Sequence, residues 1–383
     1  MLYHLFNLIK DYDFPGQGLM GYLSFRAILA NIISMLIAFF AGKGIIRKLQ
    51  SHQIGETVRN LGLEGEAQKK GTPTMGGIII ILALLVSVLL VCDLTNRYVQ
   101  LLILTTIWCG SLGFADDYIK VIKHNKDGLS PKVKLIGQCS LGLLIALTVC
   151  FSPAVHLDNI VTTIPFVKAH EFDYSWLSPF SGQWGSYCSW GIYMIMIIIV
   201  IAACSNGANL TDGMDGLAAG TSAIVGICIG VLAYLGGNLL NSNYLNIMYI
   251  PGSGEVAIFM SAFVGALLGF LWYNTYPAKV FMGDTGSLTI GGIIGVSAVL
   301  IRKELLLPII CGIFLIESLS VIIQKTHYRR TKKKYGEGRR IFLMAPIHHH
   351  YQKMGIPEPM IVVRFWLVAI LLAVGSLAML KLR

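Results

Sequence analysis

Apolar residues in this chain fall in long blocks separated by short polar segments. Blocks approaching the roughly 17–25 residues of a spanning helix recur at about 22–42, 75–92, 98–115, 135–154, 190–205, 217–236, 256–273, 287–301, 305–323 and 360–380. This pattern predicts an all-α integral membrane protein with ten transmembrane helices. The blocks at 190–205 and 287–301 are short, but flanking Gly and Ser can extend a helix to the headgroups. Between about 155 and 189 the chain carries alternating and aromatic stretches, which predict a short β-hairpin lying on the membrane. No fixed-period repeat or low-complexity tract breaks the chain, so residues 1–383 read as a single polytopic domain. The N-terminal "MLYHLFNLIKDYDFPGQG" lacks a basic start and a small-residue cleavage site, so no cleavable signal is expected.

Composition agrees with the pattern. The chain is 55% apolar and 13% charged, where a soluble domain carries about 25% charged residues. Assigning alternate loops to the two sides puts 22 of the 30 Lys and Arg on one of them. That side is cytoplasmic by the positive-inside rule, which leaves both termini outside. Much of the net charge of +10 thus lines one membrane face, where it suits anionic lipid headgroups or an anionic substrate. The eight cysteines show no CxxC pairing and sit mostly in apolar blocks, so they read as small buried residues.

The acidic residues change the picture. Asp116 and Asp117 in "GFADDYIK", Asp212 and Asp215 in "NLTDGMDGL", and Asp284 in "FMGDTGS" all hug block ends on the basic side. Placing an ionised carboxylate in hydrocarbon costs several kcal/mol, so such residues read first as functional. They lie among Lys120, Lys123, Lys132, Lys134 and Lys279, beside Gly-rich turns. Carboxylates interleaved with lysines suit a metal-bound polyphosphate, with oxygen ligands for Mg²⁺ and ammonium groups for the remaining charge. Asn209, Asp212 and Asp215 are three apart and would form one helical stripe. Asp116 and Asp117, about 100° apart around a helix, should not share one job. In "GDTGS", amides freed at a helix start would bind a phosphate oxygen.

Plainer readings stand beside these. Any one of the five carboxylates could be a helix cap or a partner for a nearby lysine. "KKGTPTMGG" (69–77) reads as a loop and cap before a helix. "IHHHYQ" (347–352) on an extended loop cannot bring three consecutive side chains to one ion, so hydrogen bonding or phosphate contact is expected there. "RRTKKKYGEGRR" (329–340) reads as an anchor to anionic lipids. Glu317, deep in an apolar block, is a polar tie between helices or part of a proton path. A secondary transporter would place its site near the bilayer midplane, and a divalent-cation channel would need acidic rings along a pore; neither matches acidic groups gathered at one surface.

Five motifs, "KGTPTMGG" (70–77), "FADDYIK" (114–120), "NLTDGMDGLA" (209–218), "FMGDTGSL" (281–288) and "APIHHHYQKMG" (345–355), resemble those of the phospho-N-acetylmuramoyl-pentapeptide transferases. These belong to the polyprenyl-phosphate N-acetylhexosamine-1-phosphate transferase superfamily. The resemblance runs in order from about residue 20 to the end, and the His-rich motif is its most discriminating part. Met214 and Thr285 depart from the commoner Leu and Val, and the outside loop is long. The resemblance implies a multi-pass enzyme of the bacterial cytoplasmic membrane, its active site facing the cytoplasm. It implies transfer of phospho-MurNAc-pentapeptide from UDP-MurNAc-pentapeptide to undecaprenyl phosphate, giving lipid I and UMP, with Mg²⁺ as cofactor. Membrane lipids and a homodimer partner are implied, and no nucleic acid. Carried over by position, Asp116, Asp117, Asp284 and His348 would be catalytic, with Asp284 and Asp117 at the metal. Lys69, Thr74, Lys120, Lys132, Asn209, Asp212, Asp215, Asn274, His349 and His350 would bind substrate.

Overall fold

In the computed structural model the described residues are all but 9–16, 52–68, 70, 124, 126–127, 153–159, 165–170 and 382–383. Arg59, Lys70 and Lys126 of the basic face, and much of the long loop at about 155–189, therefore lie outside the described residues. The helices, in order, are α1 (Leu2–Leu8), α2 (Leu23–Ser51), α3 (Gly77–Val91), α4 (Arg97–Val121) and α5 (Pro131–Phe151). After two short strands, β1 (Val161–Thr163) and β2 (Glu171–Asp173), come α6 (Gly182–Thr211), α7 (Leu217–Gly236), α8 (Leu239–Leu245), α9 (Gly254–Asn274) and α10 (Gly283–Leu300). The chain ends with α11 (Leu307–Ile310), α12 (Gly312–Tyr335), α13 (Ile347–Lys353) and α14 (Glu358–Ala378).

Each apolar block holds a helix, but not ten helices of equal kind. Among the described residues, eight are long and apolar enough to cross a membrane: α2, α4, α5, α6, α7, α9, α10 and α14. A ninth crossing requires joining Glu304–Ile310 to α12 across an 80° bend. The block at 75–92 yields a helix of only 15 residues, about 22 Å long at 1.5 Å per residue. Its start is pinned by a distant segment: Gly76 N and Gly77 N, which have no intrahelical partner at a helix start, donate to the carbonyls of Phe281 and Met282 at 2.8 and 2.9 Å. The block at 190–205, by contrast, sits inside a 30-residue helix, α6. Ser189 and Thr211 return their hydroxyls to the carbonyls of Gly185 and Gly207, which lets polar flanks stay helical.

Helices α9 and α10 are central and almost wholly buried, whereas most residues of α2 and α14 are half-buried or exposed. Helix α10 packs on α4 and α6, and α9 on α2 and α7. Two glycines set how closely these helices approach. A Cβ on Gly77 would fall 2.2 Å from Gly286 N, and one on Gly113 would fall 2.2 Å from the carbonyl oxygen of Asp284. Backbone thus touches backbone where α3, α4 and α10 meet, and that contact puts the start of α10 beside the end of α4.

The expected hairpin is present as an antiparallel pair, Val161 opposite Asp173 and Thr163 opposite Glu171. Thr163 N donates to Arg302 O at 3.2 Å, just beyond the C-terminus of α10. The 18 residues of α10 span about 27 Å, so the hairpin and Asp284 lie at opposite ends of the molecule. All eight cysteines are free.

Gly77→Val should lower stability by about 1–3 kcal/mol through overpacking. Gly44→Ala, where an added Cβ meets nothing within 4 Å, should be neutral or stabilising. Thermal unfolding in detergent checks both.

Candidate active site

Helix α4 ends in a turn carrying Asp116, Asp117 and Lys120, and the 100° step between neighbours sends the two aspartates to different partners. Asp117 faces α10 and is held by its first turn. It accepts from Asp284 N at 3.0 Å, Thr285 N at 2.9 Å and Thr285 Oγ1 at 2.6 Å. The anion at this helix start is therefore the protein's own carboxylate, and the Asp284 and Thr285 amides of "GDTGS" are not free for a phosphate oxygen as the sequence suggested. Freed amides and the helix dipole reward either anion, and Asp117 is already in place. Gly283, at φ +72°, makes the approach: a Cβ there would lie 2.6 Å from Asp117 Oδ2 and 3.0 Å from Thr74 Oγ1.

Asp116 faces the other way. Its Oδ2 lies 2.5 Å from Lys120 Nζ and 2.9 Å from Lys134 Nζ, and its Oδ1 accepts from Leu129 N at 2.7 Å. The same lysines reach Asp284 Oδ2, at 3.2 and 2.5 Å. Asn209 Nδ2 donates to Asp284 Oδ1 and to Ser287 Oγ, both at 2.9 Å. Among the described residues, Asp116, Asp117 and Asp284 form one cluster whose ligand atoms all lie within 4.8 Å of one another. Hard oxygen donors at this spacing fit Mg²⁺ by chemistry. The adjacent ammonium groups show that the pocket already attracts positive charge.

Asp212 and Asp215 fall outside that triad. Asp215 belongs to a second group: its Oδ1 accepts from Lys69 Nζ at 2.8 Å and its Oδ2 from Ala278 N at 3.0 Å. Lys69 also donates to Glu358 Oε1 at 2.6 Å, and the Phe281 ring lies 6.0 Å from its Nζ. Burial works against the Lys69 ammonium, but attraction to Glu358 and then Asp215 more than offsets it and raises its pKa. Asn274 is a brace, accepting from Gly216 N at 3.1 Å and donating to Val280 O at 2.9 Å. Asp212 stands at the C-terminal end of α6, where its N–H closes the last turn on Ala208 O.

The histidines sit on a short helix, α13, not on an extended loop, and the helical step separates them. His348 Nδ1 lies 3.0 Å from Glu317 Oε2, with both side chains fully buried, so Glu317 ties α12 to α13. A Cβ on Gly213 would meet His348 Nε2 at 2.2 Å, which places this ring against the "TDGMDG" turn. His349 Nδ1 pairs with Gln352 Oε1 at 3.2 Å, and His350 Nδ1 accepts from Leu343 N at 3.1 Å. Burial, with His348 beside it, lowers the His349 pKa to about 4.

The groups are contiguous. Phe281 N donates to Pro73 O at 2.8 Å, zipping the Lys69–Thr74 segment onto the Asp284 segment. Asn209, Gly213 and Asp215 run from the carboxylate centre past His348 to Lys69. Sequence reasoning placed Lys134 among the lysines around the carboxylates but put Lys132 in the site, and it missed Glu358. Lys132 is exposed on the first turn of α5, whereas Lys134, about 200° around the helix from it, turns inward to the carboxylates. Glu358 lies in "PEP" at the start of the last helix, where an acidic first turn ordinarily signals only a favourable helix end; its two prolines were the available sign of a fixed backbone.

A helical membrane protein with acidic and basic side chains locked together at helix ends is built for anionic chemistry beside a bilayer. Residues 99–302 match the model of glycosyl transferase family 4, which defines the class as an integral-membrane transferase. Residues 69–81 match signature 1 of phospho-N-acetylmuramoyl-pentapeptide-transferase. Proteins of that name from Parabacteroides distasonis, Flavobacterium psychrophilum and Porphyromonas gingivalis are 53%, 54% and 48% identical, with the full length of each chain covered. The chain belongs to the phospho-N-acetylmuramoyl-pentapeptide-transferase family.

Lys134→Met should lower turnover about 10²-fold, as loss of one preorganised positive group does, while Lys132→Met should change it less than about twofold. Steady-state transfer rates distinguish the two. His349, with a folded pKa of about 4 against the ordinary 6.5, stays neutral when folded while the unfolded chain takes a proton below pH 6.5. Its contribution is complete above pH 6.5 and is lost as pH falls from 6.5 towards 4. His349→Gln should flatten the fall in thermal stability across that window.

Proposed function

We propose that this chain transfers phospho-MurNAc-pentapeptide from UDP-MurNAc-pentapeptide to undecaprenyl phosphate, forming lipid I and releasing UMP for peptidoglycan synthesis. The names of its full-length relatives support the substrates. The observation that carries the chemistry is the centre itself: Asp116 and Asp284 each contact both Lys120 and Lys134 at the end of a membrane-embedded helix. In the same reading the chain crosses the bacterial cytoplasmic membrane ten times with both termini periplasmic and the site cytoplasmic, and it acts as a homodimer. Its product feeds the wall growth on which cell shape and division depend.

Charge decides how the centre works. Three ionised carboxylates against two ammonium groups leave one net negative charge, which repels a diphosphate. A divalent cation on the triad reverses the sign, and Mg²⁺ held by Asp284 with Asp116 and Asp117 would neutralise diphosphate charge as the reaction proceeds. Asp117 holds Asp284 and Thr285 in place from behind. Lys120 and Lys134 are within reach of any anionic oxygen that displaces Asp116 or Asp284 from them. Lys69, Asp215 and Asn274 line the nucleotide side, with Thr74 between the two groups and Asp212 at the turn that joins them. His349 and His350 border the sugar and peptide, with fully buried His348 behind them against Glu317 and Gly213.

The lipid phosphate oxygen attacks the sugar-side phosphorus in line. One P–O bond forms as the bond to UMP breaks, and UMP leaves with the electron pair. A phosphate monoester has a second pKa of about 6, so at neutral pH the nucleophile is mostly the dianion and little proton remains to remove. Asp116, its oxygens already engaged by two ammonium groups and the Leu129 amide, suits charge arrangement rather than proton abstraction.

Detergent-purified protein given undecaprenyl phosphate and Mg²⁺ should release UMP from UDP-MurNAc-pentapeptide and not from UDP-N-acetylglucosamine. EDTA should stop turnover and added Mg²⁺ restore it. Equal use of both sugars, or full turnover in EDTA, sinks the reading.

A further inference from the structure

We infer that Glu358 is a positioning residue for the nucleotide half of the substrate, acting through Lys69 and Asp215. A single oxygen, Oε1, accepts from Lys69 Nζ at 2.6 Å and from Asp215 N at 2.8 Å. Asp215 closes the figure, taking Lys69 on Oδ1 at 2.8 Å and the Ala278 amide on Oδ2 at 3.0 Å. Four chain segments thus meet: the one leading into α3, the turn between α6 and α7, the loop after α9, and the first residue of α14. The Glu358 side chain is only 5% exposed and that of Asp215 2%, while Lys69 keeps 20%. The carboxylates form the buried base of the group, and the ammonium is its accessible tip.

The local sequence explains why Glu358 can hold that place. Pro357 and Pro359 bracket it and fix the backbone on either side. The start of α14 favours a carboxylate, since the first-turn amides have no intrahelical partner. A lysine on one carboxylate alone could swing about it. Two carboxylates on different segments fix its direction, and Glu358 holds the Asp215 backbone at the same time. Charge-assisted hydrogen bonds of this length carry such positioning.

This inference rests on the nucleotide lying at Lys69, as proposed above, and the two can fail separately. Glu358→Gln keeps an oxygen for the Asp215 amide and removes the charge facing Lys69. The expected result is a rise of about tenfold in KM for UDP-MurNAc-pentapeptide, with kcat and the KM for undecaprenyl phosphate within about twofold. Lys69→Met should raise the same KM, and combining the two should add little, because both break one contact. If K69M raises the nucleotide KM and E358Q does not, the role of Glu358 is overturned and the nucleotide site stands. If K69M leaves that KM unchanged, the nucleotide placement is overturned. A parallel rise in both substrates' KM with E358Q would mark a merely structural residue and overturn the inference. Should E358Q alone not fold, the double variant carries the test: a nucleotide KM equal to that of K69M supports the role, and a further rise overturns it.

Discussion

The contact on which the rest depends is that between the Asp117 carboxylate and the first turn of α10. Asp117 sits at the end of a largely apolar helix, 3% exposed, where an unpaired charge would cost several kcal/mol. The freed amides of Asp284 and Thr285 are equally costly if left without an acceptor. Each problem solves the other, but only if α4 and α10 approach almost backbone to backbone. Gly113 and Gly283 permit that approach. Once it is made, the Asp284 side chain is delivered to Asp116, Lys120 and Lys134, and the carboxylate–lysine cluster follows from a helix-end contact.

That arrangement also explains why the five acidic residues do not share one point. A common site for all of them would gather more negative charge than two lysines can balance. The fold places three in a triad served by Lys120 and Lys134, puts Asp215 in a second group where it shares Lys69 with Glu358, and leaves Asp212 at the end of α6. The separation matches a substrate with two ends. In the proposed function, one end is where bonds change, and the other is a nucleotide to be held still. The 281–284 segment, hydrogen-bonded to Pro73, Gly76 and Gly77, keeps the two groups in fixed relation.

The hairpin end of the molecule follows a different logic. Tyr174 and Glu304 hydrogen-bond at 3.2 Å, Lys303 reaches Thr163 Oγ1 at 2.5 Å, and the Arg302 guanidinium lies 4.9 Å from the Tyr193 ring. These buried polar groups fasten the hairpin to the far end of α10. Burial lowers the Lys303 pKa to about 8, with Glu304 opposing the shift. The central helix is thereby held at both ends, by Asp117 at one and the hairpin at the other.

The sequence by itself determined the solvent, the helical class and the chemistry on offer. Apolar blocks of this length can only be membrane or core helices, and five carboxylates at their ends demand partners. It determined the family too, because five ordered motifs leave little room for another. It could not determine that the start of α3 would be bound to residues about two hundred positions away. Nor could it choose Lys134 over Lys132, which depends on how α5 is rotated against α4. Glu358 was invisible for the same reason: its partners lie 289 and 143 residues distant along the chain, and a hydrogen bond is set by distance in space. Composition and periodicity record what each residue prefers, whereas the packing of α4, α10 and α14 decides which preferences meet.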